Sequence, residues 1–174
     1  MKKYLFFAVM FCISGAMAAG IKGEGTRIKN WSQNSHRNFV RNIGKVVMDE
    51  EDQQMVFQTK TAEKGVAYSY SVRYKAKAGD TVVVEIVAKG SGSVILGYYP
   101  YTADPVKWLS GVKNTRKEFK MEDGYKKYRF SEVILPDGDG SKVGIINFLI
   151  QIDPASDVII RSFDCSVVPA DEEE

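Results

Sequence analysis

From residue 66 the chain reads VAYSYSVRYKAKAGD, in which Val66, Tyr68, Tyr70, Val72, Tyr74 and Ala76 alternate with Ala67, Ser69, Ser71, Arg73, Lys75 and Lys77. A period of two puts one set on a buried face and the other in water, as in a half-buried strand. Gly79-Asp80 then supplies a turn, and TVVVEIVAKG resumes with β-branched residues on both faces. The two runs are predicted to pair as an antiparallel hairpin. The same grammar returns in SVILGYYPY, YKKYRFSEVIL, GIINFLIQID and DVIIRSFDCSVV, with shorter candidates in KVVMDE and QMVFQTK. Each run is bounded by Gly, Pro, Asp or Ser clusters such as KGSGS, PDGDGS and DPASD. Residues 62–65 and 115–122 each have room for a helical turn, and neither has the three-to-four spacing of an amphipathic helix. The pattern predicts an all-β chain with little helix, an antiparallel β-sandwich of about eight strands rather than a parallel α/β sheet.

The first residues, MKKYLFFAVMFCISGAMAAG, have the three parts of a secretory signal peptide: two lysines, a short apolar run, and small residues at Ala16 and Ala18. Cleavage is expected after Ala18, so the product is expected to be secreted or periplasmic and free of the membrane. Phe11 precedes Cys12, where a lipid-anchor signal needs a small residue. The expected organisation is a signal peptide at 1–18, a flexible lead at 19–29, one sandwich domain at 30–169 and an acidic tail at 170–174. The leader carries Lys2 and Lys3 and no acid, so the 24 basic and 22 acidic residues of the chain become 22 of each. A formally neutral domain argues against a nucleic-acid partner, since such binding draws on excess positive charge. Only Cys165 survives cleavage, which leaves no intramolecular disulfide. A domain of about 155 residues can bury roughly 70% of its unfolded surface and hold together by its core.

The order YSYSVRYKAKAGDTVVVEI, KYRFSEVIL, IINFLIQIDPASDVIIRSFDCSVV resembles that of carbohydrate-binding modules with the galactose-binding-like jelly roll, the xylan- and glucan-binding kind found beside bacterial glycoside hydrolases. The resemblance spans about residues 30–168 and lies in hydrophobic spacing, not in an active-site motif. It implies a jelly-roll sandwich, a carbohydrate ligand and a structural calcium, with Asp164 where the closing-strand acid of that metal site would stand. The glycine and acidic residues that would complete the site do not stand out. A solvated strand carboxylate is the other reading of Asp164.

Residues 97–111, GYYPYTADPVKWLSG, concentrate aromatics around two prolines. A ring recognises a sugar by covering its C–H face while polar groups bond the hydroxyls. Tyr98 is in phase with Val94 and Leu96 and is expected to face inward, whereas Tyr99 and Tyr101 share the other phase. Trp108 falls in or after a loop opened by Asp104-Pro105, so Trp108, Tyr99 and Tyr101 form a candidate stacking platform. Asp104, and Arg73 on the wet side of its strand, are its candidate polar partners. The competing reading of Trp108 is a lid on the sandwich core. NWSQNSHRNF holds Trp31 and His36 among amides and reads equally as surface.

Catalytic machinery is not visible. Cys165 alternates with Phe163 and Val167 and is expected to be a buried thiol, not a nucleophile for His36. MDEED at 48–52 and Glu132 supply acids with nothing to fix a working separation. PDGDGS has half the spacing of a calcium loop, yet Phe148 stands where its closing glutamate belongs, so a tight hairpin turn is expected there. The expectation is a non-catalytic exported carbohydrate-binding module. The alternative is a structural or interaction subunit of an envelope or extracellular assembly, with a protein partner.

Overall fold

The computed structural model of the chain describes residues 19–21, 31–34, 45–49, 54–58, 66–70 and 72–170. Their strands are β1 (Ala19–Ile21), β2 (Trp31–Asn34), β3 (Lys45–Asp49), β4 (Gln54–Gln58), β5 (Val66–Tyr70) and β6 (Tyr74–Lys75), followed by β7 (Thr81–Ser91), β8 (Ser93–Tyr101), β9 (Arg116–Lys120), β10 (Lys126–Val133), β11 (Ile145–Ile152) and β12 (Asp157–Val168). A 3-10 turn at Gly140–Lys142 is the one helical element among the described residues. Two six-stranded antiparallel sheets result. The back sheet runs β10-β7-β12-β4-β3, with β1 also on β12, and the front sheet runs β2-β5-β11-β8-β9, with β6 also on β11.

Alternation fills the space between the sheets. Val82, Val84, Ile86 and Ala88 of β7 with Tyr128 and Phe130 of β10 meet Val94, Leu96 and Tyr98 of β8 and Ile146, Phe148, Ile150 and Ile152 of β11. Each such aliphatic or aromatic side chain contributes about 1.5–3 kcal/mol by leaving water. Tyr98 and Phe130 meet edge to face across the layers at 6.0 Å. On β12 the inward residues are Val158 and Ile160, then Phe163, Cys165 and Val167. A bulge between Ile160 and Ser162 makes that change of phase, because one extra residue returns the apolar set to the core.

Three sequence expectations are corrected. The runs either side of Gly79-Asp80 are not a hairpin: β5 and β6 pair with β11 in the front sheet, whereas β7 pairs with β10 and β12 in the back sheet. The turn carries the chain from one sheet to the other. Asp80, only 5% exposed, holds it by accepting from the Lys77 N–H at 2.8 Å and the Ala170 N–H at 3.2 Å. Residues 115–122 contain no helical turn; Arg116–Lys120 is the edge strand β9, paired with β8. The PDGDGS stretch is likewise no hairpin turn, since it joins β10 of the back sheet to β11 of the front sheet through the 3-10 turn. KGSGS and DPASD are also crossings between sheets. Gly92, at φ 85°, lies where a Cβ would stand 2.2 Å from Ser156 Oγ, the group that accepts from the Ser93 N–H at 3.0 Å.

Candidate functional site

Along β8 the burial alternates, with Tyr98 fully buried and Tyr99 and Tyr101 half-buried on the opposite, outer face of the front sheet. Removing Tyr98 from water pushes its hydroxyl up to about 12. Beyond Tyr101 the chain turns back on itself. The Thr102 N–H donates to Lys107 O at 2.9 Å, the Lys107 N–H to Thr102 Oγ1 at 2.9 Å and the Leu109 N–H to Pro100 O at 3.0 Å, while the Thr102 hydroxyl donates to Pro105 O. These bonds set Trp108 directly opposite Tyr101 in an antiparallel bridge. Opposed residues of such a pair share a face. Leu109 turns into the core at 8% exposure, and Trp108 is 56% exposed. Trp108 is not the lid of the core.

Arg73 lies in phase with Lys75, which pairs with Ile145, itself opposite Tyr101. Its guanidinium carbon is 5.5 Å from the centre of the Tyr101 ring. Burial and the neighbouring Tyr99 raise the Tyr101 hydroxyl, against the opposing pull of Arg73. A second cation was not anticipated: Arg116 stands 5.0 Å over the Tyr99 ring. It reaches there because Gly97, the residue paired with it, has no side chain; a Cβ at Gly97 would stand 2.0 Å from Thr115 O. Trp108 and Arg116 also border a groove of about 520 Å³ with Pro100, Ser110 and Asn114. Asp104 is exposed at the tip of the 102–107 loop.

Farther along the outer face, Asn147, Leu149 and Gln151 of β11 are buried although their strand's other face supplies the core. The middle of this face is closed to solvent. Among the described residues, the end carrying Arg73, Tyr99, Tyr101, Trp108 and Arg116 is accessible, as is Glu118 on β9. The structure therefore brings together four of the five residues expected to form the ligand site, leaves Asp104 at the loop tip, and adds Arg116. Arg116 was not among the expected residues, for 115–122 offered only room for a helical turn and nothing in TRKEFKME announces an edge strand. Trp31 lies in β2, opposite Tyr70, and His36 is outside the described residues.

Asp164 stands on the outer face of the back sheet, opposite Glu85. Glu85 is engaged by Lys127 Nζ at 2.8 Å and Arg129 Nη1 at 3.3 Å, and the Lys127 hydrogen bond holds its carboxyl below the ordinary range. Calcium needs about six to eight oxygen ligands. Among the described residues no three of His, Cys, Asp and Glu gather where they could hold a metal ion. β1 pairs with Cys165–Val167 only as far as Ile21, so the N-terminal residues that would face Asp164 lie outside the described ones. The described residues do not by themselves make a calcium site. Cys165 is buried at 3% exposure, and burial raises its thiol well above the ordinary range.

No protein-family model and no curated protein matches the chain. Solved structures do. The xylan-binding module CBM15 aligns over 88% of this chain and 97% of its own at 10% identity and a TM-score of 0.51. CBM1 of BiXyn10A, in its apo form, aligns over 85% of this chain and 96% of its own at 11% identity and a TM-score of 0.50. The Stig cyclase Fisc from Fischerella sp. TAU aligns over 89% and 100% at 9% identity and a TM-score of 0.53. Two of these three are carbohydrate-binding modules, and what this chain shares with them is an all-β sandwich of two antiparallel sheets. At these identities the likeness reaches the fold alone.

Proposed function

We propose that the protein is an exported, non-catalytic carbohydrate-binding protein that holds a poly- or oligosaccharide against the front-sheet end bearing Trp108, Tyr101 and Tyr99. The observation that supports it most is the 56% exposure of Trp108 at a position fixed by backbone pairing to Tyr101. An indole held in water by its own hairpin loses apolar hydration when a pyranose C–H face covers it. Arg73 supplies donors and Asp104 an acceptor for sugar hydroxyls. Two of the structural neighbours above are carbohydrate-binding modules, one of them described as xylan-binding, which agrees with this reading. The leader at 1–18 directs the product to the periplasm or the exterior, where polysaccharides are met.

Affinity electrophoresis through a panel of plant, algal and host glycans tests the proposal. At least one glycan is expected to retard the protein. Trp108→Ala should weaken that retention by about tenfold, equivalent to about 1.4 kcal/mol, and leave the melting temperature unchanged. Absence of retardation across the panel, or full retention by the Trp108 variant, sinks the assignment.

A further inference from the structure

The two site tyrosines do not present open ring faces. Arg116 lies 5.0 Å over Tyr99 and Arg73 lies 5.5 Å over Tyr101. A sugar cannot stack on a ring face that a guanidinium covers. A stacked guanidinium instead turns outward the edge that carries its N–H donors, in a planar fork matched to a carboxylate. Both arginines are exposed, and neither has an ion pair or hydrogen-bond partner among the described residues. Among the described residues, the carboxylates that pair with described cations are Glu85, Glu122, Asp137 and Asp139, none of them opposite β8 or β11 on the front sheet. Lys75, opposite Ile145, and Lys107, opposite Thr102 in the loop, add charge at the same end. Among the described residues the acids nearby are Asp104 at the loop tip, Glu118, which pairs with Ile95 and so lies beyond Gly97 from Tyr99, and Asp139, whose carboxylate accepts from the Gly111 N–H at 3.2 Å and is paired with Lys142.

We infer that the saccharide bound here is acidic: a uronic-acid-rich glycan whose carboxylates take forked, charge-assisted hydrogen bonds from Arg73 and Arg116 while Trp108 covers a sugar face. The inference rests on the carbohydrate reading above and narrows its substrate class. The tyrosines become supports that hold each guanidinium flat and cut the freedom it loses on binding. A neutral polymer would leave both guanidinium groups without an anion to bond.

Isothermal titration of the full processed chain with polygalacturonate, with the same polymer after methyl esterification, and with neutral xylan separates the possibilities. Polygalacturonate is expected to bind, and esterification, which keeps the sugar and removes the charge, to weaken binding by about ten- to a hundredfold. Arg73→Gln and Arg116→Gln should each cost about tenfold toward polygalacturonate. Arg116→Lys, which keeps the charge and loses the fork, should fall short of wild type. The comparison variant is Lys89→Gln with Arg161→Gln, because these two cations flank the Tyr125 ring on the outer face of the back sheet. It should bind as wild type. Loss of binding in that variant equal to the loss in the arginine variants overturns the proposal, since general charge attraction would then suffice. Xylan binding that equals or exceeds polygalacturonate binding and ignores the arginine changes overturns the acidic-ligand inference while leaving the carbohydrate reading standing. Failure of every glycan, neutral and acidic, removes both.

Discussion

Replacing Gly97 by alanine would place a methyl group where the backbone of the neighbouring strand already runs. The added Cβ would stand 2.0 Å from Thr115 O and 2.9 Å from Arg116 Cα. Both are main-chain atoms, so no rotamer change relieves the clash. β9 is the edge of the front sheet, and its least costly response is to move its first residues outward. That breaks the 3.0 Å bond from the Tyr98 N–H to Thr115 O, worth about 0.5–1.5 kcal/mol, and overpacking strain adds about 1–3 kcal/mol. The expected loss is about 2–4 kcal/mol, or about 4–16 °C in melting temperature for a domain of this size. Urea unfolding should show the same loss as a shifted midpoint with an unchanged slope. Gly124→Ala is the matched control, for nothing lies within 4 Å of its added Cβ, and it should stay within about 0.5 kcal/mol of wild type. Because β9 carries Arg116, Gly97→Ala should also lift that guanidinium off Tyr99 and weaken polygalacturonate binding. If the two glycine variants melt within about 1 °C of each other, the close approach of β9 does not shape this end of the sheet, and the account of how Arg116 is placed fails.

Two further perturbations probe the layers beneath and behind the site. Tyr98 keeps a buried hydroxyl with no hydrogen-bond partner among the described residues, so Tyr98→Phe should gain about 1 kcal/mol in urea unfolding; a loss of that size would show that the hydroxyl is satisfied. Glu85 has its carboxyl held below its ordinary value of 4.5, chiefly by the Lys127 hydrogen bond. A depressed folded value means that Glu85 stabilises the protein above about pH 4.5 and that this contribution disappears as the pH falls through the lower folded value. The melting-temperature gap between wild type and Glu85→Gln should therefore narrow on acidification below pH 4.5; a gap that stays constant contradicts the pairing.

Alternation in SVILGYYPY sorted Tyr98 from Tyr99 and Tyr101 before any coordinates, because side-chain direction along a strand is a local property of the backbone. The same rule identified Phe163, Cys165 and Val167 as inward-facing, and the turn clusters marked the ends of β7, β8, β11 and β12. What neighbours what is not local. The segments flanking Gly79-Asp80 look like a hairpin because a tight turn and a change of sheet use the same residue types, and only the pairing of β6 with β11 and of β7 with β12 separates the two. Arg116 escaped notice for a related reason. Its strand is five residues long, charged, and paired along one side only, so its sequence carries little of the apolar rhythm by which buried strands announce themselves.

By itself, then, the sequence determined the all-β class, the inward and outward residues of β8 and of the second half of β12, and a cluster of aromatics at the end of β8. The tertiary structure decided that Trp108 stands in water beside Tyr101, that arginines from two distant segments cover Tyr99 and Tyr101, and that the middle of the same face is closed. Face alternation follows from the geometry of each residue and its immediate neighbours. Contacts between segments far apart along the chain are chosen by how the two sheets share one core, a condition that no single stretch of sequence contains.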